Sequence, residues 1–169
     1  MIRILSILLA LTVALSACVP ASTTGGKAGG SYRISNSDTG TIQFRMLDSV
    51  NALRSSAGVT PLALDAKLNA AAATHARDMS VQNRAWHFGS DGSSPLDRME
   101  RVGYEGTLLG ENISETFESE LETLAAWMVT PATRTIILAP KAQEMGFSWY
   151  QEPGGKIWWT LVTGIEAPS

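Results

Sequence analysis

The chain has 169 residues, 13 Lys and Arg against 16 Asp and Glu, a formal charge of −3 and a single cysteine. Past residue 40, ten cationic side chains face fifteen carboxylates. That balance excludes a nucleic-acid partner, whose phosphates must be neutralised by clustered Lys and Arg. With Cys18 the only thiol, it also excludes internal disulfides, thiolate metal sites and cysteine nucleophiles from everything that follows.

Arg3 precedes an apolar run from Ile4 to Leu11 that continues through Val13 and Leu15. The run is shorter than the roughly 20 residues needed to cross a bilayer and ends on small residues, the layout of a secretory signal. Leu15, Ser16, Ala17 and Cys18 fit a bacterial lipobox, in which the thiol is lipidated before cleavage. Residues 1–17 are therefore expected to be removed, leaving Cys18 as the lipid attachment point of the remaining 152 residues. The mature protein is expected on the periplasmic or extracellular face of a membrane. Residues 18–40, rich in Ser, Thr and Gly, read as the lipidated cysteine and a flexible linker, and residues 41–169 as one folded domain.

Ile42, Met46, Val50, Leu53 and Ala57 form one helical stripe, and Gly58 follows where such a helix stops. A second helix is predicted from Asp65 as its cap, with Leu68, Ala72, His75 and Met79 on one face. Ser94, Pro95 and Asp97 punctuate a short third helix that ends before Gly103. Ser119 and Glu122 form another capping box, opening a helix that Thr130 and Pro131 interrupt. Leu108–Ile113 suggests a strand. Met145–Tyr150 and Lys156–Thr163 flank a Pro-Gly-Gly turn and predict a β-hairpin. Helices first and a hairpin last imply an α+β domain with helices packed on a small antiparallel sheet.

Segments LRSSAGVTPLALDAKL (53–68), THARDM (74–79), HFGSDGSSPLDRM (87–99), GENI (110–113), WMVTPATRTIILAP (127–140) and EMGF (144–147) occur in this order. Together they resemble the bacterial SCP-like branch of the CAP superfamily, named for cysteine-rich secretory proteins, antigen five and pathogenesis-related proteins. The resemblance runs from about residue 42 to the C-terminus. It implies a three-layer α-β-α sandwich and a cleft built from two histidines and two acidic residues, which in some members holds a divalent metal. His87 and Glu111 match the first histidine and first glutamate. Thr133 stands where the second histidine would be, and Thr130 at the second acidic position, so half of the tetrad is absent.

A zinc site needs three or four protein ligands, and His87 with Glu111 supplies two. No cofactor is expected. His75 could add a third nitrogen, but its place in the stripe of helix two predicts a core histidine bonded to a polar neighbour. His87 and Glu111 could equally form a general-base pair, with Ser90, Ser93 and Ser94 close in sequence, or a retained structural hydrogen bond. Five tryptophans invite a sugar-stacking reading; Trp158 and Trp159, adjacent on a strand, must face opposite sides. Glu111, Glu115, Glu118, Glu120 and Glu122 read as a solvated acidic face near a helix start. The expected function is a lipid-anchored, extracytoplasmic binding or scaffolding module of the cell envelope, with a protein, glycan or lipid partner. The alternative is a metal-assisted or general-base hydrolase centred on His87 and Glu111.

Overall fold

The computed structural model describes residues 32–116 and 119–167. The signal, the lipobox with Cys18, the linker up to residue 31 and Glu118 lie outside them. The elements run α1 (Thr39–Ser56), β1 (Ala63–Leu64), α2 (Ala66–Gln82), α3 (Pro95–Arg101), β2 (Thr107–Thr116), α4 (Glu120–Val129), α5 (Pro131–Ile137), β3 (Glu144–Gln151) and β4 (Ile157–Ile165).

The strands form one sheet in the order β1-β3-β4-β2. The predicted hairpin pairs β3 with β4 antiparallel, and β2 pairs antiparallel with the other side of β4. β1, too short to announce itself by periodicity, adds a two-residue parallel pairing to β3. Side chains alternate across the sheet, and each face buries its own core. On one face Ile42, Met46 and Val50 of α1, Leu124 and Trp127 of α4 and Ile137 of α5 pack on Phe147, Trp159 and Leu161. On the other, Leu68, Ala71 and Ala72 of α2 and Met99 of α3 pack on Val162, while Ala76 and Met79 cover Trp158. This is the three-layer α-β-α sandwich. Trp158 and Trp159 do face opposite sides, and both are fully buried.

The caps explain where the helices begin. Asp65 accepts the Leu68 N–H, and Ser94/Asp97 and Ser119/Glu122 are both complete capping boxes, satisfying N–H groups that have no partner inside the helix. Pro131 does more than end α4: it occupies the first turn of α5, where its missing N–H costs nothing. Gly146 is required by contact rather than by turn geometry, because a Cβ there would lie 2.1 Å from the Leu68 carbonyl carbon. α2 thus rests directly on the backbone of β3.

Three expectations need correction. The linker does not extend to residue 40. Residues 36–38 form a 3-10 turn, and the Arg33 guanidinium donates to the Glu152 and Pro153 carbonyls of the hairpin turn. The α1 stripe reaches Leu53, which is half-buried against the same core, but not the exposed Ala57; its fourth fully buried member is Arg54. The acidic face is not uniformly solvated, since Glu111 and Glu120 are buried, the latter paired with Arg45.

Candidate functional site

Four elements bring charged groups together on the α2 face of the sheet. β2 supplies Glu111, whose inward side chain is only 2% exposed. α2 supplies His75, fully buried, and the loop after α2 supplies His87, whose side chain is 51% exposed. α3 supplies Arg98, placed inward beside Met99 by the cap at Ser94.

Glu111 is the hub. Its Oε1 lies 2.9 Å from His87 Nδ1 and 3.7 Å from His75 Nε2. Arg98 Nη2 donates to both carboxylate oxygens, at 3.0 and 2.8 Å. Arg98 Nη1 is in turn fixed by the His87 and Ser93 carbonyls at 3.0 and 3.3 Å. Burial alone would raise the Glu111 pKa, but the His87 hydrogen bond and the charges of His75 and Arg98 outweigh it and hold the carboxyl below its ordinary 4.5. His75 moves the other way. Burial pushes its pKa below 6.5 despite the nearby Glu111, so it is neutral at pH 7, with Nε2 bonded to the Trp86 carbonyl at 2.9 Å. His75 is the core histidine with a polar neighbour that its helical stripe predicts.

The structure therefore joins His87, Glu111 and His75, and adds Arg98, to which the sequence reading gave no role. Its signal was faint: an arginine at the inward position of a seven-residue helix. Thr133 and Thr130 are not joined to the group by any bond among the described residues. The Thr133 hydroxyl donates to the Trp127 and Thr130 carbonyls at 2.6 and 3.1 Å, closing the end of α4, and its carbonyl accepts from Asn112 at 2.9 Å. Nor does a serine reach His87: the Ser90 hydroxyl donates to Asp78 at 2.6 Å and Ser94 caps α3. A cleft of about 390 Å³ between α2 and α3 is lined by His75, Asp78, Ser93 and Arg98, but neither His87 nor Glu111 borders it.

The donor set does not fit a divalent metal. A cation on Glu111 would have to displace a guanidinium that engages both carboxylate oxygens and is itself buried. His75 Nε2 is committed to Trp86, and among the described residues no three His, Cys, Asp or Glu side chains form a metal-holding group.

A profile of the cysteine-rich secretory protein family, CAP, matches residues 47–163. The protein YkwD of Bacillus subtilis is 30% identical over 114 residues, 68% of this chain. The chain spans 44% of that relative's length. Among solved structures, an extracellular protein containing an SCP domain from Bacillus anthracis superposes with a TM-score of 0.70 at 21% identity, over 80% of this chain and 45% of that one. An outer surface protein from Borrelia burgdorferi gives 0.69 at 14% identity, over 82% of this chain and all of that one. At these identities the structural likeness establishes the fold alone.

Proposed function

The chain belongs to the CAP, or cysteine-rich secretory protein, family, and from that premise we propose that it is a lipid-anchored, extracytoplasmic domain that binds or scaffolds at the cell envelope without catalysing a reaction. The observation that carries the non-catalytic part is the Arg98 fork on Glu111. A carboxylate whose charge is answered by a buried guanidinium is a poor metal ligand and a weak proton acceptor. The absence of histidine at Thr133 and the engagement of its hydroxyl in closing α4 support the same reading. The lipid anchor rests on the lipobox ending at Cys18.

One observation favours the hydrolase alternative. His87 is half-exposed and its Nδ1 is held by Glu111, an orientation that turns Nε2 outward as a general base requires. Calorimetric titration of the detergent-solubilised protein with zinc, beside His87→Ala and Glu111→Ala, separates the two. We expect no saturable heat from any of the three. Micromolar binding abolished by either substitution would replace the scaffold reading with the metal-assisted one. For the anchor, Cys18→Ser is expected to move the protein from the membrane fraction to the soluble fraction; full membrane retention of the variant would refute lipidation at Cys18.

A further inference from the structure

The far edge of the sheet carries a second cleft, of about 480 Å³, between the segment that enters α1 and the end of β3. We propose that it binds a neutral glycan, one sugar ring stacking on Trp149. The proposal goes beyond the binding role above and does not use the same site, so its failure would leave the reading of the Arg98-closed group untouched.

Of the five tryptophans, Trp127, Trp158 and Trp159 are buried. Trp86 is half-buried but covered: the Arg84 guanidinium lies 3.9 Å above its ring and Phe88 packs 5.5 Å away. Trp149 is half-buried too, and among the described residues its aromatic neighbours are Phe147 and Trp159, buried rings tilted at 6.0 and 5.7 Å. No cation lies over it among the described residues. A partly exposed aromatic ring that is packed on buried rings and lines a cleft is a platform for the apolar C–H face of a sugar.

Two polar groups around that platform are neutral and uncommitted. The Asn36 amide and the Thr39 hydroxyl line the cleft and have no side-chain hydrogen bond among the described residues. Arg33 is spent on the hairpin carbonyls, and Gln151 on Tyr32, Ile34 and Gly155. No carboxylate lines the cleft. Arg33 is the one charged residue of the lining and its guanidinium is turned to the hairpin carbonyls; the groups left free to bond, the Asn36 amide and the Thr39 hydroxyl, suit hydroxyl or acetamido groups.

The main chain adds one more pair. Phe147 N–H donates to Asn69 Oδ1 and its carbonyl accepts from Gln43, both on the open side of β3. The two-residue period of a strand puts the N–H and C=O of Trp149 on the same edge. An extended peptide adding to this edge would need several such residues in a row. Here Phe147 is already capped by side chains, and the Gln151 side chain holds the entering segment across the end of the strand, so at most Trp149 and Gln151 offer main-chain groups. Two residues are too few for strand addition and enough to bond a sugar hydroxyl.

The test is a titration of the full-length protein, held in a sugar-free detergent, with chitotriose, cellotriose and maltotriose, read by tryptophan fluorescence and saturation-transfer NMR. We expect saturable binding of at least one trisaccharide. Trp149→Ala should weaken it by about tenfold or more, the scale of one aromatic contact plus desolvation. Trp149→Phe should keep most of it. Asn36→Ala, an exposed position that leaves the core alone, should weaken it by roughly three- to tenfold, and Trp86→Ala should leave it unchanged. No saturation by about 10 mM of any trisaccharide, a millimolar ceiling for weak specific sites, or binding indifferent to both Asn36→Ala and Trp149→Ala, would overturn the proposal.

Discussion

Arg54→Met is expected to remove a large share of the domain's stability. Arg54 is fully buried, and among the described residues it has no carboxylate partner; its guanidinium is instead enclosed by main-chain carbonyls. Nε donates to Thr60 at 2.7 Å, Nη1 to Ile137 and Ala139 at 2.7 and 3.1 Å, and Nη2 to Ala142 at 3.1 Å. One side chain thereby ties the end of α1 to the loop before β1, the end of α5 and the turn before β3. Methionine fills a similar volume but takes the donor from the Thr60, Ile137 and Ala142 carbonyls, while Ala139 keeps the Ala142 N–H. At about 1–3 kcal/mol for each buried unsatisfied group, the loss is at least ~3 kcal/mol, against the ~5–15 kcal/mol that holds a domain together. Arg54→Lys should rescue only part, because three donors on one nitrogen cannot span acceptors that a planar fork reaches. Urea unfolding of both variants, with the exposed Arg134→Met as control, measures this. A loss below about 1 kcal/mol for Arg54→Met would show that water satisfies those carbonyls.

Arg54 also marks where the sequence stopped being informative about the fold. Caps are local chemistry: a Ser or Asp whose oxygen must meet an N–H two or three residues on is legible without knowing anything distant, and the starts of α2, α3 and α4 were read correctly from it. The hairpin was legible for the same reason. A charged residue at an apolar position of a stripe cannot be read that way. Whether Arg54 turns inward depends on carbonyls more than eighty residues away, and apolar periodicity passes it over for Ala57. The entry segment failed for a related reason. Tyr32 to Asp38 has linker composition, and only the hairpin turn against which Arg33 docks gives it a fixed place.

At the candidate site, His87 and Glu111 could be found because the resemblance aligned their motifs, and His75 could be placed in the core because helical periodicity aimed it there. Their convergence on one carboxylate oxygen could not, since it requires α2, packed across β3 and β4, to meet a side chain of the neighbouring β2. Arg98 was hidden inside a quoted motif. Its role follows only once α3 is seen to turn its inner face towards Glu111, and that role decides whether the site carries a free carboxylate or a neutralised one.

Replacing Arg98 should therefore be costly, and costly in a way that depends on pH. Arg98→Met leaves Glu111 buried, with the His87 hydrogen bond and the His75 ring at 3.7 Å as its remaining close partners, and removing one member of a buried ion pair typically costs about 3–5 kcal/mol. In the native protein the Glu111 pKa lies below its ordinary 4.5. Its stabilising contribution is then complete above about pH 4.5 and fades as pH falls through the lower folded-state value. Without Arg98, its charge and its hydrogen bond no longer oppose the effect of burial, and the Glu111 pKa rises from its native value. The variant should be most destabilised at neutral pH, where the unpaired carboxylate is ionised, and the gap to the native protein should narrow as acid protonates it. The gap should not close, because the bonds from Arg98 to the His87 and Ser93 carbonyls are lost at every pH. Adding Glu111→Gln to Arg98→Met should recover part of the loss at pH 7 and little at pH 4, so the coupling between the two positions is itself pH-dependent. Unfolding curves for the four proteins across that range decide the matter. A pH-independent penalty would mean that Arg98 acts through packing alone and that the charge on Glu111 is answered elsewhere.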